Sequence, residues 1–282
     1  MGIKLDIEVV NMNNVTKKIN GNTIIDNMNL TIPKNSITLI EGNNGSGKSV
    51  TLKLIANIIN PTSGLITNNG VVSYAPDQFP NSIELTLNEY FKYLKKIYQL
   101  PSNSKIIDYM ISNFQLQQFL NFKIKNCSKG TQQKVNIIQC LIKKSDIYIL
   151  DEPFSGLDQD SIEFLIDFLN KLKSNATIVI SSHEPDINKK IITHTFDLET
   201  KNFSNTISNQ NLKQETIITV TDISNLDFNK AINSLNFNIR IKNLEKNKRV
   251  IIVPFSKTNV ALLTLIQNNL TISKVICEEA KF

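Results

Sequence analysis

The chain has 282 residues, 41% of them apolar, and a formal net charge of +6. That length and apolar share give room for one large α/β domain and one small one, and they exclude a disordered chain. The mild positive charge suits work beside an anionic membrane surface, but no Arg/Lys stripe with interleaved aromatics is present, so direct nucleic-acid binding is not expected.

From its start to about Pro33 the chain reads as strands and turns. Residues 1–10 carry Asp6 and Glu8 and have no apolar core of signal-peptide length. Asp6 also stands where a myristoylation motif after Gly2 wants Ser or Thr. Residues 36–40 read as a buried strand. It leads into Gly42-Asn43-Asn44-Gly45-Ser46-Gly47-Lys48-Ser49, which fits G-x-x-x-x-G-K-[ST] at every fixed position. The glycines let successive backbone N–H groups point inward as an anion nest. In this pattern Lys48 reaches the β- and γ-phosphates of a nucleotide and the Ser49 hydroxyl is a ligand of Mg²⁺. A helix over residues 50–59 aims its positive end at the same phosphates.

Residues 71–75 read as a strand. From 80 to about 126 the pattern turns helical, with Thr86 and Glu89 forming a capping box ahead of a Tyr90, Phe91, Leu94 and Ile97 periodicity. Most aromatics in this stretch are expected in the core. Cys127-Ser128-Lys129-Gly130-Thr131-Gln132-Gln133-Lys134 precedes a helical stretch over 135–142, and here Ser128 with the amides after Gly130 makes a second helix N-terminus suited to phosphate. Residues 146–150 form an apolar, β-branched run ending in Asp151 and Glu152, the pattern of a strand buried on both faces of a parallel sheet. An open α/β sheet binds its ligand at that carboxyl end. Asp151 is thus placed to hold the Mg²⁺ shell, and Glu152 to orient or deprotonate the attacking water.

Taken together these motifs resemble the nucleotide-binding subunit of ABC transporters, over about the first 210 residues. Ser128 and Gly130 match the family's signature. Lys129 replaces its first glycine, a variant common in the ABC-2-type exporter branch, and Thr131 replaces its glutamine. The resemblance implies that Gln78 is the Q-loop glutamine, which touches the metal. It implies that Ser155-Gly156-Leu157-Asp158 is the D-loop, with Asp158 crossing between subunits. His183, after the strand-like residues 177–180, is implied to be the switch histidine that senses the γ-phosphate. Residues 80–126 correspond to the family's helical subdomain. Two departures stand out. Ile19 occupies the place of the usual aromatic platform for adenine, and Val50 replaces a second hydroxyl residue.

Beyond a polar linker at 205–213 the chain reads as strand, helix, strand, strand, helix, strand, over 216–220, 228–235, 237–241, 250–253, 260–267 and 272–277. A polar turn at 243–248 joins the two middle strands. This βαββαβ order fits a small ferredoxin-like unit over 214–282. It holds no catalytic cluster, and a structural or dimer-stabilising role is expected of it. Cys127, Cys140 and Cys277 have neither metal-ligand spacing nor disulfide density, as suits a reducing cytosol.

The expected protein is therefore an α/β P-loop ATPase that binds ATP and Mg²⁺. By resemblance it works as a homo- or heterodimer, with each ATP held between the 42–49 loop of one subunit and residues 128–130 of the other. No apolar run reaches transmembrane length, so an integral-membrane permease partner would supply the spans and hold the chain at the cytoplasmic face of the membrane. The rival reading is a soluble ABC ATPase in an assembly or regulatory complex.

Overall fold

The computed structural model describes residues 8–80, 82–205, 214–221, 225–235, 237, 239–245, 248–254 and 257–279. The chain divides into two compact units, Met1–Ser204 and Asn205–Phe282.

In the first unit, β1 (Glu8–Ile19) and β2 (Asn22–Pro33) form a long antiparallel hairpin, and β4 (Ser63–Asn68) pairs on the other edge of β1. A second sheet has the order β5-β6-β7-β3-β8-β9, comprising β3 (Ile37–Glu41), β5 (Val72–Ala75), β6 (Ile147–Leu150), β7 (Thr177–Ile180), β8 (His194–Asp197) and β9 (Asn202–Asn205). The pairs from β5 through to β8 are parallel. Alternate side chains of its central strands enter two separate cores. Ile37, Leu39, Leu150 and Ile180 pack on one face, while Ile40, Ile147, Ile149 and Val179 pack on the other. Burial on both faces is why these strands read as unbroken apolar runs.

Helices α1 (Lys48–Ile55), α2 (Leu87–Ile97), α3 (Ile106–Asn113), α4 (Lys129–Leu141), α5 (Gln159–Leu172) and α6 (Pro185–Ile191) connect the strands. The capping box at Thr86 and Glu89 opens α2 as expected. Between residues 80 and 126, Tyr90, Phe91 and Phe114 are buried, whereas Tyr93, Tyr109 and Phe122 are exposed. Three corrections concern helix extent. The helix after the phosphate-binding loop stops at Ile55 rather than residue 59. Asn57 is left-handed there, at φ 56°, its N–H donates to the Leu54 carbonyl, and the Ile58 N–H returns to that of Lys53. This is a Schellman stop with Asn in the usual place of glycine. Helix α4 begins at Lys129, six residues before the predicted 135. Helix α6 has no counterpart among the predicted elements.

Left-handed Gln99, Gln115 and Asn269 close other helices in the same manner. A chain with nine glycines uses long polar side chains for its helix ends.

The second unit contains β10 (Gln214–Thr221), α7 (Asn225–Asn233), β11 (Arg240–Glu245), β12 (Lys248–Pro254), α8 (Thr258–Gln267) and β13 (Thr271–Glu279). Its antiparallel sheet has the order β11-β12-β10-β13, the ferredoxin-like arrangement. Ile218, Val220, Ile251 and Val253 meet Phe228, Ala231, Ala261 and Leu265 in its core. Strand β11 begins at Arg240, later than the predicted 237. Most of the linker, residues 246 and 247 of the polar turn, and residues 1–7 lie outside the described residues.

Candidate active site

Strand register decides what meets at the carboxyl edge of the parallel sheet. Ala75 pairs with Leu150, Leu150 with Ile180, and Ile180 with Leu39. Chain leaving these four strands therefore delivers Asp77, Asp151–Glu152, Ser181–His183 and the 42–49 loop to one edge. A cavity of about 730 Å³ lies there, lined by Asn44, Gly45, Gly47, Lys48, Ser49, Val50, Asp77, Glu152, Ser155 and His183. Ile19, Asn20, Asn22 and Ile24 close its far end.

The loop is braced by its own lysine. Lys48 Nζ donates to the carbonyls of Gly42 at 2.8 Å and Asn43 at 3.2 Å, which fixes a positive charge over the nest. Gly47 has φ 101° immediately before α1, and a Cβ there would lie 2.7 Å from Ile25, so only glycine fits. Ser46 Oγ is buried without a hydrogen-bond partner, a group that a phosphate oxygen would satisfy.

Asp151 is buried, with Oδ1 accepting from Ser181 Oγ at 2.6 Å. The same Ser181 hydroxyl accepts from the Glu152 N–H at 2.9 Å, and the Glu152 carbonyl accepts from Gln133 Nε2 at 3.1 Å. These bonds hold Glu152 in the left-handed region at φ 49°. A non-glycine residue there carries strain that its surroundings must impose, and such strain clusters at functional sites. The result aims the Glu152 side chain into the cavity, with Oε1 3.4 Å from His183 Nε2. Burial raises the Glu152 pKa above the usual carboxylate range, His183 and Lys48 oppose the rise, and Asp151 and Asp77 add to it. A base held above its ordinary range is a better proton acceptor near neutrality.

Ser181 was not singled out by sequence. A serine at the end of a strand carries no signal until β6 and β7 are paired. Replacing it with alanine leaves a buried carboxylate oxygen and a buried N–H without their partner. Ser181→Ala is expected to cost about 1–3 kcal/mol, read by urea denaturation, and to lower turnover further by releasing Glu152 from its strained backbone.

Several expected site residues do not reach the cavity. Gln78 lines the adjoining groove instead, with Phe79, Lys129, Gln132, Gln133 and Gly156, while Asp77 and Ser155 line both the groove and the cavity. Strand β5 ends at Ala75, and the chain bends at Asp77 and Gln78. Ser128 caps α4, its Oγ accepting from the Thr131 N–H at 3.2 Å. Gly130 packs on the Gly156 carbonyl, where a Cβ would approach to 2.5 Å. Asp158 caps α5 and receives Lys134 Nζ at 2.5 Å. Burial acts to raise the Asp158 pKa, but the bonds from Lys134 and Ser161 outweigh it and hold it down at about 2. Within one chain, then, Ser128, Lys129, Gly130, Thr131 and Asp158 all lie outside the cavity lining.

The oxygen groups that could hold a metal are the Ser49 hydroxyl and the Asp77 carboxylate in the cavity lining, with the Asp151 carboxylate buried at the end of β6. They suit a hard cation such as Mg²⁺, which takes one or two carboxylates together with substrate phosphates. Among the described residues no cluster of three His, Cys, Asp or Glu side chains is close enough to hold a metal alone. Such an ion would arrive with its nucleotide.

Ile19, 39% exposed, and Ile24 offer the cavity's far end an aliphatic face. Lacking a π-face, it forgoes the roughly 1–3 kcal/mol of base stacking. ATP is expected to outcompete GTP by less than about tenfold in a binding titration, because without that term the triphosphate carries most of the affinity.

Comparison with known proteins gives the same picture. The family model described as "ABC transporter" matches residues 25–155. The uncharacterized ABC transporter ATP-binding protein YybJ of Bacillus subtilis (strain 168) is 35% identical over 192 residues, 64% of this chain and 86% of that protein. The cytochrome c biogenesis ATP-binding export protein CcmA of Reclinomonas americana is 30% identical over 215 residues, 72% of this chain and 97% of its own length. In fold the chain is similar to the dimeric ATP-binding cassette MJ0796 in a post-hydrolysis state bound to ADP and Pi. The TM-score is 0.62 at 24% identity, over 70% of this chain and 98% of that one.

Proposed function

Because the chain belongs to the family of ABC transporter ATP-binding proteins and is an ATP hydrolase, we propose that it powers a separate integral-membrane permease, as the ATP-binding subunit of an ABC-2-type exporter. The observation that carries the site assignment is the convergence of Lys48, Ser49, Glu152 and His183 on one cavity at the carboxyl edge of the sheet. Export is supported by Lys129 in the signature position, by the ferredoxin-like C-terminal unit, and by the export named for the Reclinomonas americana relative.

Phosphoryl transfer to water asks a protein mainly for positioning and charge stabilisation. ATP lies on the amides of the 42–49 loop, with Lys48 on its β- and γ-phosphates and Val50 in the cavity lining beside it. Ser49 and Asp151 are the residues that would hold Mg²⁺, which when bound would supply charge neutralisation at the phosphates. Glu152 accepts the proton of the attacking water, and His183 holds Glu152 in place and senses the γ-phosphate.

The signature residues Ser128–Thr131 lie outside the cavity of their own chain, so a second ATPase subunit, identical or homologous, presents its own to complete the site. Closing and opening of that pair is the two-state element that drives the permease. The protein works at the cytoplasmic face of the cell membrane, held there by that partner. No helix among the described residues is long and apolar enough to cross a membrane.

Purification of the chain from native membranes in mild detergent tests the reading. A stoichiometric multi-span protein should accompany it. Recovery only from the soluble fraction, with soluble partners, would contradict the transporter assignment and favour an assembly ATPase.

A further inference from the structure

We infer that Asn136 is a positioning residue for the hydrolytic step, acting through a buried line of amides that grips the backbone of Glu152. The inference rests on the reading of Glu152 as the base and concerns what holds that base in place.

Gln133, Asn136 and Gln139 recur at i, i+3 and i+6 and so lie along one face of α4. Asn136 is fully buried and Gln133 nearly so. At the far end, the Tyr90 hydroxyl of α2 donates to Gln139 Oε1 at 2.6 Å. Gln139 Nε2 donates to Asn136 Oδ1 at 3.0 Å. Asn136 Nδ2 donates to Gln133 Oε1 at 3.3 Å and to the Pro76 carbonyl at 2.6 Å. Gln133 Nε2 then donates to the Glu152 carbonyl at 3.1 Å. Asn136 thereby joins the segment leaving β5 to the segment leaving β6.

The polarity of this line is fixed from its ends. The Pro76 and Glu152 carbonyls can only accept, so they set which way the Asn136 and Gln133 amides face. Asn136 Oδ1 is left to accept from Gln139, and Gln139 Oε1 from Tyr90. Bonds that all run in one direction polarise and strengthen one another. Stability alone does not ask for amides here, because a hydrogen-bonded pair exchanged for apolar groups of the same shape can be nearly neutral. What the amides add is direction. Glu152 stands in the left-handed region at φ 49°, which a non-glycine residue keeps only where its surroundings impose it. Without Asn136, the Gln133 amide is free to turn, and the Glu152 backbone loses the partner that aims its side chain.

Asn136→Leu keeps the branched outline of the side chain and removes its donor and acceptor. In the full chain it is expected to lower kcat for ATP by about 100-fold, the cost of displacing a catalytic group by about 1 Å. Affinity for a non-hydrolysable ATP analogue with Mg²⁺ should stay within a few-fold of wild type, a split that general loosening of the fold would not give. In a Glu152→Gln background the same change should slow turnover no further, because the two residues act as one unit. Tyr90→Phe, which keeps the ring packed edge-on against Phe79, should show the same split with a smaller loss of kcat, and it decides the matter if circular dichroism shows Asn136→Leu to be unfolded. Wild-type kcat in Asn136→Leu, losses that multiply in the double variant, or an unchanged Tyr90→Phe where Asn136→Leu does not fold would each overturn the inference while the base assignment stands. Wild-type turnover in Glu152→Gln alone would overturn both.

Discussion

Glu152→Gln is expected to lower ATP turnover by about 10²–10⁴-fold, the range that a positioned general base contributes, while nucleotide affinity stays within a few-fold of wild type. Glutamine keeps the shape of the side chain and removes only its capacity to accept a proton. The backbone bonds that place the residue are untouched, since Ser181 and Gln133 bind its N–H and carbonyl. The substitution therefore separates chemistry from binding. Parallel steady-state phosphate release and equilibrium binding read the two separately. Turnover near that of wild type would remove Glu152 from its assigned role. Because ATP is still bound, the paired state should persist longer in the variant than in wild type.

The second large effect is on binding. Lys48→Ala removes a charged donor that the structure holds over the loop by bonds to the Gly42 and Asn43 carbonyls. Charge-assisted hydrogen bonds contribute about 1.5–3 kcal/mol each. Two of them to the phosphates correspond to at least about 3 kcal/mol, or roughly 150-fold in affinity. The fold should survive the change. Helix α1 is anchored by Thr51, Leu52, Leu54 and Ile55, all of them buried. Calorimetric titration with ATP should show the loss, and an unchanged circular dichroism spectrum should show that α1 persists. Retention of wild-type affinity would place the phosphates elsewhere.

What the sequence made legible was local. The phosphate-binding loop, the capping box at Thr86 and Glu89, and the two-sided strand ending at Asp151 each declare themselves within a dozen residues. The C-terminal βαββαβ order was equally readable, because its apolar runs are short and separated by polar turns. What stayed hidden depends on which strand lies beside which. Ser181 has meaning only once β7 sits against β6. Asp77 has a place in the cavity lining only once β5 lies beside β6. The start of α4 was obscured by Gly130 in its first turn, where the close approach to Gly156 demands glycine in a place that otherwise disfavours it. Helix α6 follows His183 closely and is seven residues long, too short for a helical period to rise above the apolar runs flanking it.

Hydrogen exchange along the chain, with and without Mg²⁺ and a non-hydrolysable ATP analogue, tests the central claim most directly. The account predicts protection concentrated in the 42–49 loop, in the first turn of α1, and around Asp151–Glu152 and His183, with Asn205–Phe282 unchanged. Protection confined to the C-terminal unit, or absent from the 42–49 loop at saturating nucleotide, would contradict it.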